Sequence, residues 1–245
     1  MKKILRRFGL ELVRLDKQKI PVDFEQQHVD LVRLVQPYTM TSPERIFGLA
    51  EAVNYIVKNQ IEGDVVECGV WKGGSMLAVA QTLLNMQETK RHLYLYDTFE
   101  GMPAPEKEDV SYADQQASEL LAADADKEKN LVWAYSALET VRRTMQLCKY
   151  PDTHIHYVQG KVEDTIPATM PEKIALLRLD TDWYASTKHE LEHLFPLLAP
   201  GGVLIIDDYG FWKGARKAVD EYFQEHKIRI LLNRMDETGR IAVKQ

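Results

Sequence analysis

The fold of this chain is decided by the stretch Asp64-Val65-Val66-Glu67-Cys68-Gly69-Val70-Trp71-Lys72-Gly73-Gly74-Ser75. The pattern predicts a short buried strand over 64–68, a glycine-rich turn and a helix over 75–84. Glycine lets backbone approach a ligand closely, and the start of a helix offers N–H groups that lack partners. Dinucleotide-binding turns have the spacing G-x-G-x-x-G, whereas three residues separate Gly69 from Gly73 here. The turn therefore predicts a ligand site and argues against a dinucleotide.

Strands and helices are expected to alternate along the rest of the chain. The expected strands cover 92–97, 155–159, 174–180 and 202–207, and the expected helices begin at Thr41 or Ser42 and cover 187–198 and 213–223. This alternation is typical of a mostly parallel sheet with helices on both faces, which predicts a Rossmann-like α/β fold. At the end of the chain, 228–232 and 240–243 flank a turn-rich segment and predict an antiparallel hairpin at one edge of the sheet.

The bulk properties predict one globular domain over residues 1–245. A net charge of -6 and a pI near 5.7 argue against nucleic-acid binding. The only cysteines, Cys68 and Cys148, cannot build a disulfide framework, which suits a cytoplasmic protein. No stretch approaches the ~18 apolar residues of a membrane span, so we expect no stable membrane insertion.

Two segments outside the alternating pattern have expected roles. Residues 1–40 predict a helical extension, and its basic amphipathic start would pack on the body or a partner subunit, or contact a membrane surface. Residues 101–130 contain Pro103, Pro105 and little apolar material to bury, so we expect a mobile lid rather than a second domain.

Two acids extend the ligand site predicted by the glycine turn. Glu67 lies two positions before Gly69 and suits a cationic amine, whereas Asp97 ends the next strand and can accept hydrogen bonds from both ribose hydroxyls. Each feature alone has a structural explanation, since a glycine turn can serve packing and a strand-end aspartate can cap a helix. Together, at the first two strand ends, they favour an adenosyl ligand.

A second group of acids follows two later strands. Asp180 and Asp207 end strands joined by one crossover helix, so their side chains are expected to meet at the carboxyl edge of the sheet. Asp208 adds a third oxygen donor, and the set suits Mg²⁺ or a similar ion. So many carboxylates would repel one another, so some counterion is expected. The alternative is that these acids, Asp208 above all, cap turns and helices.

Catalytic roles are expected for Asp180 and Asp182 if the adenosyl ligand donates a group to an acceptor hydroxyl. Such a transfer is an in-line displacement in which the hydroxyl must lose its proton. We expect Asp182, two residues beyond the ligand Asp180, to take that proton. Some metal-dependent enzymes of the catechol type use a lysine as the base, but Trp183 stands where such a lysine would be sought.

Several motifs together resemble one family. They are Thr39-Met40-Thr41-Ser42, the glycine turn quoted above, Tyr96-Asp97-Thr98-Phe99-Glu100-Gly101-Met102-Pro103, Leu177-Arg178-Leu179-Asp180-Thr181-Asp182-Trp183-Tyr184 and Asp207-Asp208-Tyr209. This combination resembles the macrocin O-methyltransferase (TylF/MycF-like) family. The resemblance implies a class I methyltransferase fold, S-adenosylmethionine as methyl donor, a magnesium-type ion and a deoxysugar hydroxyl as acceptor. It also implies that the lid and the first ~30 residues serve acceptor choice and subunit contacts, hence a homo-oligomer.

The resemblance extends the set of expected site residues. It implies that 38–41 covers the sulfonium end of the donor and that 160–164 flanks its adenine. The residues expected to bind the donor are then Thr39, Met40, Thr41, Glu67, Gly69, Val70, Trp71, Gly73, Ser75, Asp97, Thr98, Phe99, Gly160, Val162, Glu163 and Asp180. Those expected on the acceptor side are Tyr38, Asp182 and Tyr209, and the metal ligands are Asp180, Asp207 and Asp208.

Competing motifs leave other functions open. The run 189–193 matches H-E-x-x-H, a zinc-protease signature, but helical spacing predicts that His189 and His193 lie on the solvated face opposite the apolar stripe. The triplet 180–182 also matches the D-x-D of metal-dependent glycosyltransferases. A catechol-type O-methyltransferase and a noncatalytic adenosyl-binding module are the further alternatives.

Overall fold

A computed structural model describes residues 20–123, 126–127 and 129–245 of the chain. The strands are β1 Asp64–Cys68, β2 Leu93–Asp97, β3 Ile155–Gln159, β4 Ile174–Leu179, β5 Leu198–Ile206, β6 Asn233–Arg234 and β7 Arg240–Val243. The α-helices are α1 Gln26–Val35, α2 Pro43–Lys58, α3 Gly74–Asn85, α4 Ala117–Ala122, α5 Leu138–Met145, α6 Val162–Thr165, α7 Tyr184–Leu194 and α8 Lys213–Glu225. The basic helix expected at the start of the chain falls within 1–19 and lies outside the described residues.

The strands form one sheet in the order β3-β2-β1-β4-β5-β7-β6. The pairs from β3 to β5 are parallel, and β7 adds an antiparallel strand to β5. Strand order reverses between β1 and β4, and in such sheets ligands bind in the crevice beyond the carboxyl ends at that reversal. The predicted fold class is confirmed, and the reversal places the ends of β1 and β4 side by side.

Apolar side chains leave the sheet on both faces and form two packed layers. Val65 belongs to the cluster that includes residues of α1, α2 and α3, whereas the next residue, Val66, belongs to the cluster that includes residues of α7 and α8. Side chains alternate along a strand, so a central strand supplies both layers. All six residues of β4 are buried, as expected for a parallel strand covered on both faces.

Helix α2 begins where the sequence predicts. The Ser42 hydroxyl accepts a hydrogen bond from the Arg45 backbone N–H at 3.2 Å, and Pro43 occupies the first helical position, where no N–H donor is needed. Ile46, Leu49 and Val53 of this helix are buried. The segment just before α2 is thereby held against the body of the protein.

Some predicted boundaries are wrong, with identifiable causes. The helix expected over 187–198 begins at Tyr184 and ends at Leu194, because Pro196 lacks the N–H that would continue it and a 3₁₀ turn follows. Residues 228–232 form no strand: Ile228 and Leu232 pack against the apolar layer beside α7 and α8. Only Asn233 and Arg234 pair with β7, so β6 is two residues long.

The segment expected to form a lid is tied to the body near its middle. Tyr112 N–H donates to the Phe211 carbonyl, and Lys213 N–H donates to the Val110 carbonyl, each at 2.8 Å. Asp109, fully buried, accepts from the Tyr184 N–H at 2.8 Å, at the start of α7. The segment also contains α4, which the sequence did not predict.

Gly214 allows Asp109 to come this close. A Cβ at position 214 would lie 2.5 Å from Asp109 Oδ1. On the other side, the Trp183 indole donates to the Pro103 carbonyl at 3.1 Å. The rings of Trp183 and Trp212 meet edge to face with centroids 4.9 Å apart.

The part of the chain that the structure describes contains no helix with the length and apolar character that crossing a membrane requires.

Replacing Asp109 with alanine should destabilise the protein through the anchored segment. Asp109 Oδ1 and Oδ2 accept from the backbone N–H groups of Tyr184 and Glu106, so the variant leaves two donors without a partner. We expect the free energy of unfolding in urea to fall by about 2–3 kcal/mol.

Asp114→Asn is the matched control for Asp109→Ala, because Asp114 lies in the same segment, forms an exposed ion pair with Lys213 and has a φ of +62° that asparagine tolerates. Its effect should stay within about 0.5 kcal/mol. Equal losses for the two variants would show that Asp109 does not anchor the segment.

Candidate active site

A cavity of about 370 Å³ opens at the carboxyl ends of β1, β2, β4 and β5. The predicted site residues that line it are Tyr38, Thr39, Met40, Thr41, Gly69, Val70, Trp71, Ser75, Asp97, Thr98, Gly160, Val162, Glu163, Asp180, Asp182, Asp207 and Asp208. They come from the glycine turn, the segment before α2, the turn after β3 and the ends of β2, β4 and β5. The topology therefore brings most of the predicted site together.

Two glycines allow close backbone packing at the cavity. Gly69 has φ +82°, and a Cβ there would collide with the Asp180 carbonyl oxygen, so the β1 turn lies directly against the end of β4. A Cβ on Gly74, the first residue of α3, would lie 2.5 Å from the Tyr38 carbonyl oxygen. The segment 38–41 thus lies directly on the start of α3.

Asp97 organises the glycine turn. Its Oδ2 accepts from the N–H groups of Val70 at 2.7 Å and Trp71 at 3.0 Å, and its Oδ1 accepts from Phe99 N–H at 2.7 Å. Burial raises the pKa of this carboxyl, and the three backbone donors oppose that rise. Oδ1 also lies 3.5 Å from Thr98 Oγ1, but that hydroxyl donates its single proton to the Gly101 carbonyl at 2.7 Å, so Oδ1 keeps an acceptor position for a ligand hydroxyl.

The fully buried Arg178 connects three acids beneath the cavity. It donates to Glu67 Oε1, to Asp180 Oδ2 at 2.7 Å, to Asp207 Oδ1 at 2.6 Å and to Thr41 Oγ1 at 3.2 Å. Burial opposes the charge, but Asp180, Asp207 and Glu67 outweigh it and hold the pKa of Arg178 well above its usual value. Arg178 was not among the predicted site residues, although an arginine within the buried strand β4 indicates a buried ionic network.

Arg45 of α2 adds a second cation to the same acids. Its Nη1 donates to Asp207 Oδ2, and its Nε lies 2.9 Å from Asp236 Oδ2. Ser42 donates to that same Asp236 oxygen at 2.7 Å. The counterion expected for the acid cluster is thus present in part as two arginines, of which Arg45 lines the cavity and Arg178 lies below it.

Three carboxylates converge above Arg178. Asp180, Asp207 and Asp208 each offer an oxygen, and the three oxygens lie within 4.8 Å of one another. Burial and the neighbouring acids raise the pKa of Asp208 well above its usual value, and burial does the same for Asp180. The two arginines offset only part of the charge of these acids, so the cluster retains the capacity to hold a divalent cation.

The side chain of Asp208 does not cap the turn that follows it. The turn is closed by its backbone carbonyl, which accepts from the N–H groups of Phe211 at 2.9 Å and Trp212 at 3.0 Å. Its Oδ2 is buried and has no hydrogen-bond partner among the described residues. This orphaned oxygen fits a cation ligand better than the capping alternative.

Asp182 occupies a strained turn at the edge of the cluster. Its φ is +67°, and Trp183 N–H donates to the Thr181 carbonyl at 2.7 Å across it, which makes a γ-turn. Positive φ is costly for a residue with a side chain and occurs preferentially at functional sites. Burial raises the pKa of Asp182 to about 7, while a hydrogen bond with Asp208 opposes the rise.

Four predicted site residues do not line the cavity. Glu67 lies below the cavity, where its Oε1 accepts from Arg178 and its buried Oε2 finds no partner within the part of the chain that the structure describes. Burial raises the pKa of Glu67 to about 7. Gly73 packs toward Val141, and Phe99 is buried in the core. Tyr209 points away: its hydroxyl donates to Asp220 at 2.7 Å.

One wall of the cavity is apolar and was not predicted from the sequence. Its residues are Met102, Pro103, Leu131, Val132, Ala134, Phe211 and Trp212. The first two lie in the predicted lid 101–130, the next three follow it, and the last two immediately precede α8. No periodic pattern marks these positions, so only their packing identifies them. We call these seven residues the apolar wall.

The two histidines of the H-E-x-x-H run make structural contacts with backbone carbonyls. His189 Nε2 lies 3.0 Å from the Ile166 carbonyl and His193 Nδ1 lies 2.9 Å from the His189 carbonyl. Both rings are half-buried, so the expected solvated face is wrong, because α6 and the chain around Ile166 cover this side of α7. Glu190 is fully buried and accepts from Thr181 Oγ1 at 2.9 Å. Among the described residues, only Asp180, Asp207 and Asp208 form a group able to hold a metal ion.

Comparisons with known proteins agree on one chemistry. The family model described as macrocin-O-methyltransferase (TylF) matches residues 9–243. A tetracenomycin-C 4'-O-methyltransferase of Streptomyces olivaceus, whose acceptor is named as an 8-demethyl-8-(2,3-dimethoxy-alpha-L-rhamnosyl) derivative, is 34% identical over 82% of this chain and 74% of its own. The mycinamicin III 3''-O-methyltransferase of Micromonospora griseorubida is 31% identical over 82% of this chain and 76% of its own. The solved structure of the O-methyltransferase NovP has a TM-score of 0.74 and 30% identity, covering 85% of this chain and 82% of NovP.

Removing the Arg178 side-chain charge should destabilise the fold strongly. Arg178→Met leaves Glu67, Asp180 and Asp207 without their shared buried cation, and breaking one partner of a buried ion pair costs about 3–5 kcal/mol. Chemical denaturation measures this loss.

The matched control for Arg178→Met is Lys173→Met, which removes an exposed ion pair with Glu62. That loss should be about 0–1 kcal/mol. An equal loss of stability in the two variants would show that Arg178 does not hold the three buried acids together.

Proposed function

This chain belongs to the macrocin O-methyltransferase family and is an O-methyltransferase, and we propose that it transfers the methyl group of S-adenosylmethionine to a sugar hydroxyl with the help of a divalent cation. The observation that carries the proposal is the convergence of Asp180, Asp207 and Asp208 beside Asp182, at the end of a cavity that begins at the glycine turn. Family membership decides against the glycosyltransferase and the noncatalytic alternatives.

The donor half of the cavity suits an adenosyl group. The glycine turn and Asp97 lie at one end, and Asp97 Oδ1 keeps an acceptor position for a ribose hydroxyl. The turn at 160–163 lies beside them and would flank the adenine. Tyr38 and Thr39 lie over the start of α3, and together with Met40, which also lines the cavity, they would cover the sulfonium. Glu67 would contribute its charge from below, without direct contact.

The residues of the acid cluster fit a divalent cation. Three carboxylate oxygens lie within 4.8 Å of one another, and no N–H or hydroxyl group in the described part of the chain donates to the buried Asp208 Oδ2. Carboxylate oxygens are the ligands that Mg²⁺ prefers. We propose Asp180, Asp207 and Asp208 as the ligands, and the ion would supply a positive charge that lowers the pKa of an acceptor hydroxyl.

The chain's own residues would carry out the remaining work. Asp182 lies beside Asp208 and lines the cavity, so its carboxylate can accept the proton of the acceptor hydroxyl as that oxygen takes the methyl group. Its γ-turn fixes where the carboxylate points. Phe211 and Trp212 exclude water from one side, and holding two reactants in register can supply ~7–11 kcal/mol of barrier reduction.

The apolar wall supports a glycoside as acceptor. A sugar diol would face the acid cluster, while an apolar aglycone would contact side chains such as Met102, Leu131 and Phe211. The relatives are named for acceptors of this kind, a rhamnosyl tetracenomycin and mycinamicin III. A catechol satisfies the same cation geometry and is the second candidate to include in an acceptor screen.

Methyl transfer should depend on a divalent cation. We expect labelled methyl from S-adenosylmethionine to appear on glycosides with Mg²⁺ present, and transfer to fall at least ten-fold with a chelator, because the acceptor hydroxyl would lose the lowering of its pKa. Added Mg²⁺ should restore transfer. Full activity in the presence of the chelator would remove the cation from the mechanism, and transfer only to catechols would overturn the acceptor class.

Replacing Asp182 with asparagine should abolish the proton acceptor while keeping the side-chain shape. We expect kcat to fall by about 10²–10⁴-fold with donor affinity unchanged, as measured by single-turnover transfer and calorimetry with S-adenosylhomocysteine. Asp220→Asn is the control, since Asp220 is exposed and pairs with Tyr209 outside the cavity. Wild-type turnover by Asp182→Asn would show that another group takes the proton.

A further inference from the structure

Both carboxylate oxygens of Asp207 are held by arginines. Arg178 donates to Oδ1 at 2.6 Å, and Arg45 donates to Oδ2. The same carboxylate belongs to the three-oxygen group that can hold a cation. Any cation that binds Asp207 therefore meets a guanidinium already in place.

The two arginines differ in how readily they can leave Asp207. Arg178 is fully buried and donates to four acceptors, so its withdrawal would leave several buried acids unpaired. Arg45 lines the cavity, and its side chain is 15% exposed. Of the two, Arg45 is the one that can exchange.

Arg45 also has a second acid within reach. Its Nε lies 2.9 Å from Asp236 Oδ2, in the turn between β6 and β7. Asp236 is fixed independently, because its Oδ1 accepts from the N–H groups of Thr238 and Gly239 and its Oδ2 accepts from Ser42. The guanidinium can therefore leave Asp207 and still pair with a carboxylate.

We propose that Arg45 competes with the divalent cation for Asp207, and that its partition between Asp207 and Asp236 sets the cation affinity of the site. The proposal rests on the cation of the proposed function. With Arg45 on Asp207, one ligand oxygen is engaged and a positive charge stands beside the cluster. Cation entry shifts Arg45 toward Asp236, and loss of the cation returns it.

This exchange reaches the cover of the donor site. Arg45 is the third residue of α2, and its backbone N–H bonds the Ser42 hydroxyl, which itself donates to Asp236. The segment 38–41, which lies on the start of α3, is followed directly by Ser42. Arg45 and its contact with Ser42 therefore connect the cation site to the segment that covers the donor site.

The test measures binding of Mn²⁺ alone, without donor, acceptor or turnover. Free Mn²⁺ is followed by its paramagnetic resonance signal in titrations of the full chain. Arg45→Gln removes the charge and should tighten the Mn²⁺ dissociation constant by about ten-fold or more, since a unit charge at contact distance in a partly buried site is strongly repulsive to a cation. Arg143→Gln, an exposed arginine of α5 paired with Glu139, should leave the constant unchanged.

Asp236→Asn supplies a test in the opposite direction. The substitution keeps the acceptor for Thr238 and Gly239 but removes the alternative partner of Arg45, so Mn²⁺ binding should weaken several-fold. In the double variant with Arg45→Gln, the effect of Asp236→Asn should vanish, because the effect acts through Arg45. Melting temperatures with and without Mn²⁺ report that each variant is folded.

The outcomes separate this proposal from the proposed function. If the wild-type chain binds no Mn²⁺, the cation assignment itself is wrong. If it binds Mn²⁺ but Arg45→Gln binds equally or more weakly, the competition is wrong and Arg45 only supports the site. If Asp236→Asn has the same effect with and without Arg45, Asp236 acts through its own charge and the exchange is overturned.

Discussion

The buried guanidinium of Arg178 holds the acids of the site in place. It joins Glu67 from β1 to Asp180 and Asp207 at the ends of β4 and β5, and it reaches Thr41 from the segment over the donor. One cation thereby fixes the relative positions of three strands and the cover. Without it the acids would repel one another, and the three-oxygen group could not form where the sheet reverses.

The two arginines of the site differ in how freely their side chains can move. Arg178 is enclosed and shared among several acceptors, so it acts as a permanent part of the scaffold. Arg45 lies at the rim and contacts two acids, so it belongs to the working surface. The carboxylates of the site outnumber these two arginines, and burial together with the neighbouring acids raises the pKa of Asp180 and of Asp208 well above the usual value.

Sequence reasoning succeeded where periodicity and topology decide the structure. The alternation of elements predicted the sheet, and the crossover rule brought Asp180 and Asp207 together, because strand ends in a parallel sheet share one edge. It failed where specific packing decides. Tyr209 follows the two aspartates but turns outward, and the wall residue Leu131 has no periodic neighbours to identify it. Arg178 was visible in its strand, yet two of its partners, Glu67 and Thr41, lie more than 100 positions away in the sequence.

The cavity has two parts that come from different regions of the chain. The acids and the glycine turn stand on strand ends, whereas most of the apolar wall belongs to a segment joined to the body through Asp109 and a few backbone bonds. Wall side chains such as Leu131 can therefore change without disturbing either the sheet or the carboxylates. Such an arrangement lets one reaction be inherited while the molecules it acts on diversify.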